Sequence, residues 1–297
     1  MKIYIYYCVL ACILQPFSAY AIDVVHYNKT HSAKDQRDNY PLLLLTAALE
    51  KTKEQYGEYS IEFSPVLLKR NRALRALQSG KKLNVYSAPN SKEWENTIPP
   101  IYFPIYKGLL SYRRLLINKD DASKFKKITD INQLKELRAG LGLQWSTTKI
   151  LKEYEFNIVT SSSYEGLFGM LNLHRFDYLT RGLNEIYYEF DARSPQYPNM
   201  CIEETIVLNI PLPVFLFVSP EEPRLRQRIQ DGLWKMHEDG SFDEFFNRYN
   251  ESAITKSDIA HKKVFFIENH QIKKHPIYNN DALWINLETA GNTISLL

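Results

Sequence analysis

Cysteine is scarce in this chain of 297 residues: there are three, and two of them, Cys8 and Cys12, lie within the first 21 residues. Beyond that segment Cys201 stands alone, so the rest of the chain can form no internal disulfide. The sequence also has no paired cysteines and no H-E-x-x-H motif that would indicate zinc. These absences exclude a small disulfide-stapled module and favour a chain that is stabilised by a substantial hydrophobic core.

Motifs of common enzymes and long runs of charge are missing as well. There is no G-x-S-x-G nucleophile motif, and Gly140-Leu141-Gly142 lacks the third glycine of a dinucleotide-binding loop. Cys201 has no activating neighbour in the sequence, which favours an inert thiol. The formal charge is only +3, and no basic block indicates a nucleic-acid partner. We therefore expect no cofactor, no metal and no nucleic acid, while acid–base chemistry by an Asp/Glu pair stays open.

The first 21 residues predict export. Lys2 precedes an apolar run from Ile3 to Leu14, and a small-x-small site ends at Ala21. This pattern is typical of a cleavable signal peptide, cut after Ala21, that directs the chain to the periplasm. The run is shorter than the roughly 20 residues of a membrane span. Lipoprotein processing at Cys12 is a minor alternative.

Alternating strand and helix patterns follow. The first group has strands at 22–27, 59–63 and 83–87 around helices at 41–56 and 69–79, which is typical of a parallel α/β sheet. A second group repeats the plan between 129 and 179, and long extended segments cover 108–118 and 207–219. Helices are predicted at 223–238 and from Ser241 to Arg248. Two lobes of like construction would explain this order.

Four stretches in this order carry a family resemblance: ALQSGKKLNV (76–85), ITDINQLKELRAGLGLQWSTT (128–148), YEGLFGMLNLHRFDYL (164–179) and PEEPRLRQRIQDGLWKMHEDGSFDEFFNRY (220–249). Together they resemble type II periplasmic solute-binding proteins, in particular the polar amino-acid-binding (family 3) branch of ABC transporter receptors. The resemblance covers most of residues 22–250. The family usually has an aspartate at two positions within these stretches. This chain has Asn84 at the first of them and an aspartate, Asp177, at the second.

The resemblance implies an α/β fold of two lobes, each a mixed sheet flanked by helices, joined by two hinge strands near Leu109–Asn118 and Val207–Phe217. It divides the chain into a first lobe (22–110 and 209–250), a second lobe (111–208) and an extension (251–297) that packs on the first lobe. A monomer that captures a small polar solute for an ABC permease or a sensor is then expected. The alternatives are an enzyme or enzyme-linked module on this fold, and an exported interaction protein without a small ligand.

The ligand site that the resemblance implies is altered here. Trp94 stands where the family has an arginine that grips a carboxylate, and Arg181 stands near the family's ammonium-binding aspartate. Lys92 is the cation that a loop shift would bring to the place of the missing arginine. We expect an anionic or aromatic-faced solute, held by Arg181 and by the start of the helix at Ser146. The predicted ligand-binding residues are Tyr40, Tyr86, Trp94, Trp145, Ser146, Thr147 and Arg181.

Overall fold

Strands and helices alternate through the computed structural model, which describes residues 22–28, 37 and 39–287 and the backbone of 293–295. The predicted signal peptide and the alternative processing site at Cys12 lie outside the described residues. The strands are β1 Asp23–Tyr27, β2 Tyr59–Phe63, β3 Val85–Pro89, β4 Tyr112–Asn118, β5 Ala139–Gly142, β6 Ile158–Ser161, β7 Tyr178–Gly182, β8 Met200–Ile202, β9 Ile206–Asn209, β10 Val214–Val218, β11 Lys263–Phe266 and β12 Thr293–Ser295.

The helices fill the intervals between these strands. They are α1 Asn39–Lys51, α2 Lys53–Tyr56, α3 Arg70–Ser79, α4 Lys92–Thr97, α5 Ala122–Lys126, α6 Ile131–Lys135, α7 Ser146–Glu153, α8 Tyr164–Asn172, α9 Leu183–Arg193, α10 Pro223–Glu238 and α11 Ser241–Ser257. Gly80 ends α3 as predicted, with φ +67° and its N–H directed at the carbonyls of Ala76 and Leu77. None of the helices in the described part of the chain is both long and apolar enough to cross a membrane.

The first lobe contains two strand pairs that a single buried asparagine joins. Strand β1 pairs in parallel with β2, and β3 pairs antiparallel with β10. Asn84, directly before β3, donates its backbone N–H to the His26 carbonyl at 3.0 Å. Its side-chain amide accepts from the His26 N–H at 2.7 Å and donates to the Val24 carbonyl at 2.7 Å. The strands of this lobe therefore lie in the order β2-β1-β3-β10.

The second lobe is built on one larger mixed sheet with the order β12-β11-β9-β4-β7-β5-β6, and β8 pairs with β4. Strands β5, β6 and β7 run parallel, whereas β4 is antiparallel to β7, β8 and β9. Asp177 repeats here the role of Asn84. Its carboxylate accepts from the Arg138 backbone N–H at 2.7 Å, and its own N–H donates to the Arg138 carbonyl at 2.8 Å.

Two neighbouring segments connect the lobes, near the predicted hinge. The segment before β4 and the segment from β9 to β10 are held side by side, since Ile210 N–H donates to the Ser111 carbonyl at 2.9 Å and Ile105 N–H to the Val214 carbonyl at 3.1 Å. Pro211 and Pro213 interrupt the predicted strand 207–219, because proline cannot donate to a ladder. The fold class is thus as predicted, with two short strands in place of the second long one.

The prediction that residues 251–297 pack on the first lobe describes only part of what this extension contacts. Strand β11 pairs in parallel with β9 and so widens the sheet of the second lobe. Beyond β11 the chain returns to the first lobe, where the His275 ring stacks on Tyr102 with centroids 3.6 Å apart. The Gln271 carbonyl also accepts from the Lys92 backbone N–H. The extension therefore contacts both lobes.

Candidate functional site

A cavity of about 570 Å³ lies between the lobes and is walled by both. This volume is within the range of small-molecule sites, which commonly occur at domain interfaces. The first lobe contributes the ends of β3 and β10 and the start of α3, and the second lobe contributes the loops that follow β5, β6 and β7. Five of the predicted residues line the cavity: Tyr86, Trp145, Ser146, Thr147 and Arg181.

The wall after β5 is shaped by a glycine and a tryptophan. Gly142 ends the strand, and a Cβ there would lie 2.4 Å from the Trp145 indole, so only glycine leaves room for this ring. The Thr148 hydroxyl donates to the Gly142 carbonyl at 2.7 Å and fixes the turn into α7. The first N–H groups of α7, at Ser146 and Thr147, have no partner within the helix and lie at the cavity wall. Such a helix start suits an anionic group.

Arg181 lines the cavity, but its charge is already balanced. Its guanidinium contacts the Glu189 carboxylate through two bonds of 2.6 Å and the Glu185 carboxylate at 2.9 Å. It also lies over the Trp145 ring, 4.4 Å from the centroid. Burial by itself lowers the pKa of Arg181, yet the two carboxylates outweigh burial and raise that pKa well above its ordinary value. Arg181 is therefore a paired cation in this structure, and its role in holding an anion stays a prediction.

Trp94 does not reach the cavity, which corrects its prediction as a ligand wall. The Ser91 hydroxyl accepts from the Trp94 N–H and caps α4, and this places the indole in the core with no exposed surface. The ring stacks on Tyr86, with centroids 5.6 Å apart, and Tyr86 forms the wall instead. Lys92, in the first turn of the same helix, is exposed and lies outside the cavity lining. It does not replace the family's arginine.

Tyr40 is likewise placed behind the wall. Its hydroxyl donates to the Ile105 carbonyl at 2.8 Å, and its ring stacks on Tyr106 with centroids 4.6 Å apart. Burial raises the pKa of Tyr40 far above its ordinary value, so the phenol stays neutral. Tyr106, which the sequence did not single out, is the aromatic residue that lines the cavity at this place.

Two arginines that sequence reasoning missed supply positive charge to the cavity. Arg70, the first residue of α3, lies over the Trp94 ring at 4.7 Å and donates to the Pro89 carbonyl at 3.0 Å. Arg113, in β4, donates to the Thr180 hydroxyl at 3.2 Å and to the Thr180 carbonyl at 3.0 Å. Neither guanidinium has a carboxylate within 4.0 Å among the described residues. Burial lowers the pKa of both to about 10, so both remain charged at neutral pH.

Three uncharged polar atoms at the cavity wall complete the site. The amide oxygens of Gln144 and Asn184 and the Ser146 hydroxyl are enclosed, and none has a hydrogen-bond partner in the described part of the chain. Buried polar atoms are rarely left without partners, so such a group at a cavity wall indicates where a solute makes contact. Within the described ranges no group of three His, Cys, Asp or Glu side chains could hold a metal ion.

Comparison with solved structures confirms the fold. The chain is similar to a histidine kinase sensor domain with similarity to periplasmic binding proteins (16% identity, TM-score 0.56, 77% of this chain and 96% of that one). It is also similar to an ancestral amino-acid-binding protein described as a precursor of cyclohexadienyl dehydratase (16%, 0.53, 76% and 95%). A third match is a protein of glutathione import in Streptococcus mutans (12%, 0.55, 78% and 96%).

These likenesses establish the fold of the two-lobed type II periplasmic-binding proteins, as the sequence resemblance implied. At 12–16% identity they carry no information on this chain's own ligand. Sequence comparison finds no matching family model and no matching curated protein.

Proposed function

We propose that this chain is an exported solute-binding protein that holds a small anionic solute between its lobes. One observation carries the proposal: the cavity between the lobes is walled by both of them and contains two guanidinium groups, Arg70 and Arg113, with no carboxylate partner among the described residues. A carboxylate or phosphate on such a group forms charge-assisted, frequently bidentate hydrogen bonds. Lobes that close on a solute also bury it from water.

Export to the periplasm rests on the predicted signal peptide and on the fold. After capture, the loaded protein would be recognised by an ABC-type permease or by a sensor; the similar proteins named above include one of each kind of system. The mature protein is proposed to act as a monomer. Light scattering that shows a stable dimer at micromolar concentration would contradict that last point.

A non-enzymatic role is proposed on the same geometry. Catalysis by a carboxylate pair requires that one member differ from the other in its protonation. Glu185, which lines the cavity, and the buried Glu189 share Arg181, while Glu165 at the cavity wall contacts Arg193 at 2.8 Å. Each of these carboxylates thus contacts an arginine. This arrangement supports a rigid wall more than a proton-transfer pair.

The test is to identify what the protein carries and whether Arg70 holds it. The chain would be purified without denaturation and its bound solute identified by native mass spectrometry. Arg70→Ala is expected to weaken binding roughly ten- to a hundredfold, the value of a charge-assisted contact. Arg72→Ala is the matched control, since Arg72 lies on the same helix and is exposed. Equal retention of the solute by wild type and Arg70→Ala would contradict the proposal.

A further inference from the structure

The second-lobe wall of the cavity offers no carboxylate that is free of an arginine. Glu185 and Glu189 both contact Arg181, and Glu165 contacts the Arg193 guanidinium at 2.8 and 3.1 Å. Arg113 adds another positive charge beside this group, because it is close enough to Glu185 and Arg181 for their charges to affect it. A solute ammonium placed here would meet guanidinium groups on the same wall, which disfavours it.

Neutral hydrogen-bond acceptors occupy this wall in place of a free carboxylate. The side-chain amide oxygens of Gln144 and Asn184 are enclosed and have no partner among the described residues, and the same holds for the Ser146 hydroxyl oxygen. All three residues line the cavity. If a solute covers one of these acceptor atoms and offers it no donor, the unmade hydrogen bond weakens binding. These atoms therefore select for solutes that carry N–H or O–H groups.

The first-lobe wall is cationic. Arg70 and Lys69 open α3 at the cavity, and Lys69 donates across it to the Ser162 carbonyl at 3.0 Å. Among its described residues, the first lobe contributes no Asp or Glu to the cavity lining. The first-lobe wall therefore favours an anion. The second-lobe wall adds Arg113 and the start of α7 for the same anion, and its neutral acceptors favour donors elsewhere on the solute.

Building on the binding function proposed above, we propose that the solute is a small organic anion whose other polar groups are neutral donors, hydroxyl or amide N–H. A free amino acid, with its ammonium, is the wrong partner for this second wall. A carboxylate and a phosphate would meet Arg70 by the same chemistry, so the experiment includes both kinds of anion.

Calorimetry on matched pairs tests the inference. The pairs are L-malate and L-aspartate, N-acetyl-L-glutamate and L-glutamate, and glycerol 3-phosphate and phosphoethanolamine. In each pair the first member has a neutral donor and the second an ammonium. We expect the first member of at least one pair to bind about tenfold or more tightly than the second. A phosphate pair that binds in preference to the carboxylate pairs would identify the anion as a phosphate.

A charge-introducing variant gives a second readout. Gln144→Glu and Asn184→Asp each place a carboxylate where the neutral acceptor lies, with little change in shape. In either variant the preference should shift about tenfold or more toward the ammonium member of the pair. Thermal melting would show whether each variant is folded, and the one that folds would be measured.

Failure of this inference is distinguishable from failure of the proposed function. Tighter binding of the ammonium members by wild type would overturn the solute class and leave the binding function standing. No binding by any of the six compounds at millimolar concentration would also overturn the class. The binding function itself fails only if native mass spectrometry and a broad metabolite screen find no small molecule in the cavity.

Discussion

At the scale of single residues, the candidate site was partly visible in the sequence. Trp145, Ser146 and Thr147 were predicted because a strand that ends in a polar helix start has a local pattern. Arg113 was not, since an arginine in a buried strand is explained only by its contact with Thr180, 67 residues away. The prediction that Trp94 lines the ligand site is wrong for the same reason, because its packing against Tyr86 and Phe217 depends on the assembled sheet.

The pH dependence of anion binding follows from the buried arginines. Burial lowers the pKa of Arg70 and Arg113 to about 10, and only the protonated guanidinium attracts an anion. Affinity should therefore be constant between neutral pH and about pH 9 and fall as the pH rises through about 10. An exposed arginine would stay charged over this whole range. Calorimetry at increasing pH, with folding checked by circular dichroism, measures the midpoint; affinity that stays constant to pH 11, about one unit beyond it, would contradict the prediction.

The contacts of Asn84 explain why this chain has an asparagine where the family usually has an aspartate. Its amide accepts from His26 and donates to the Val24 carbonyl, and a carboxylate cannot make the second bond. We expect Asn84→Asp to lower the free energy of unfolding by about 1–3 kcal/mol, because it buries a charge against a carbonyl oxygen. Urea denaturation measures the loss. The control, Asn71→Asp, lies exposed in the first turn of α3, where an acid is tolerated, and an equal loss there would refute this explanation.

At the scale of elements, most helices and strands could be predicted, but their ends and register could not. Helix α10 has the predicted bounds, because its apolar spacing and Pro223 give clear signals. The second predicted group of elements ends at 179, whereas its last strand, β7, spans Tyr178–Gly182 and so extends beyond that bound. The Asp177 carboxylate accepts a hydrogen bond from the Arg138 backbone N–H, and this contact exists only once the neighbouring strand is in place. Helix α4 is absent from the predicted helices, since its six residues show too little periodicity.

The contact between α1 and α10 gives a prediction at this scale. Gly232 lets the helices approach so closely that a Cβ there would lie 2.1 Å from the Ala48 carbonyl oxygen. Gly232→Ala should force the helices apart and cost about 1–3 kcal/mol of unfolding free energy, or more. Gly169→Ala is the matched control, because its Cβ would meet only the Tyr197 hydroxyl at 3.4 Å in a helix that prefers alanine. Denaturant melts that rank the two variants in the opposite order would contradict the packing argument.

At the scale of the whole molecule, the lobes are connected by more than the two segments that the resemblance implied. Strand β11 joins the second-lobe sheet, and the chain then returns to stack His275 on Tyr102 in the first lobe. Asn269, between them, donates to the Pro211 carbonyl in the connecting segment at 2.7 Å. The sequence could not predict this path, because such contacts leave no local pattern. A hinge bound by this return segment has less freedom than one of two strands.

Direct contacts between the lobes also bias them toward closure, and they can be tested individually. Lys149 of α7 contacts Glu93 of α4 at 2.5 Å, and hydrogen bonding from Lys149 lowers the pKa of Glu93. Both side chains are half exposed, so this ion pair contributes at most about 1 kcal/mol to closure. We expect Lys149→Ala to weaken solute binding by up to about fivefold at low salt, and to increase the radius of gyration in X-ray scattering.

The salt and pH dependence of that effect separates an ion pair from a general change in charge. The difference between wild type and Lys149→Ala should shrink as salt is raised, since screening weakens an attraction that only the wild type has. It should also disappear as the pH falls through the lowered pKa of Glu93, because the protonated carboxyl has no charge to offer. Lys152→Ala, an exposed lysine on the same helix, is the control. An equal loss of affinity in Lys152→Ala, or one that persists in 1 M salt, where the Debye length is only about 3 Å, would show that the contact does not hold the lobes together.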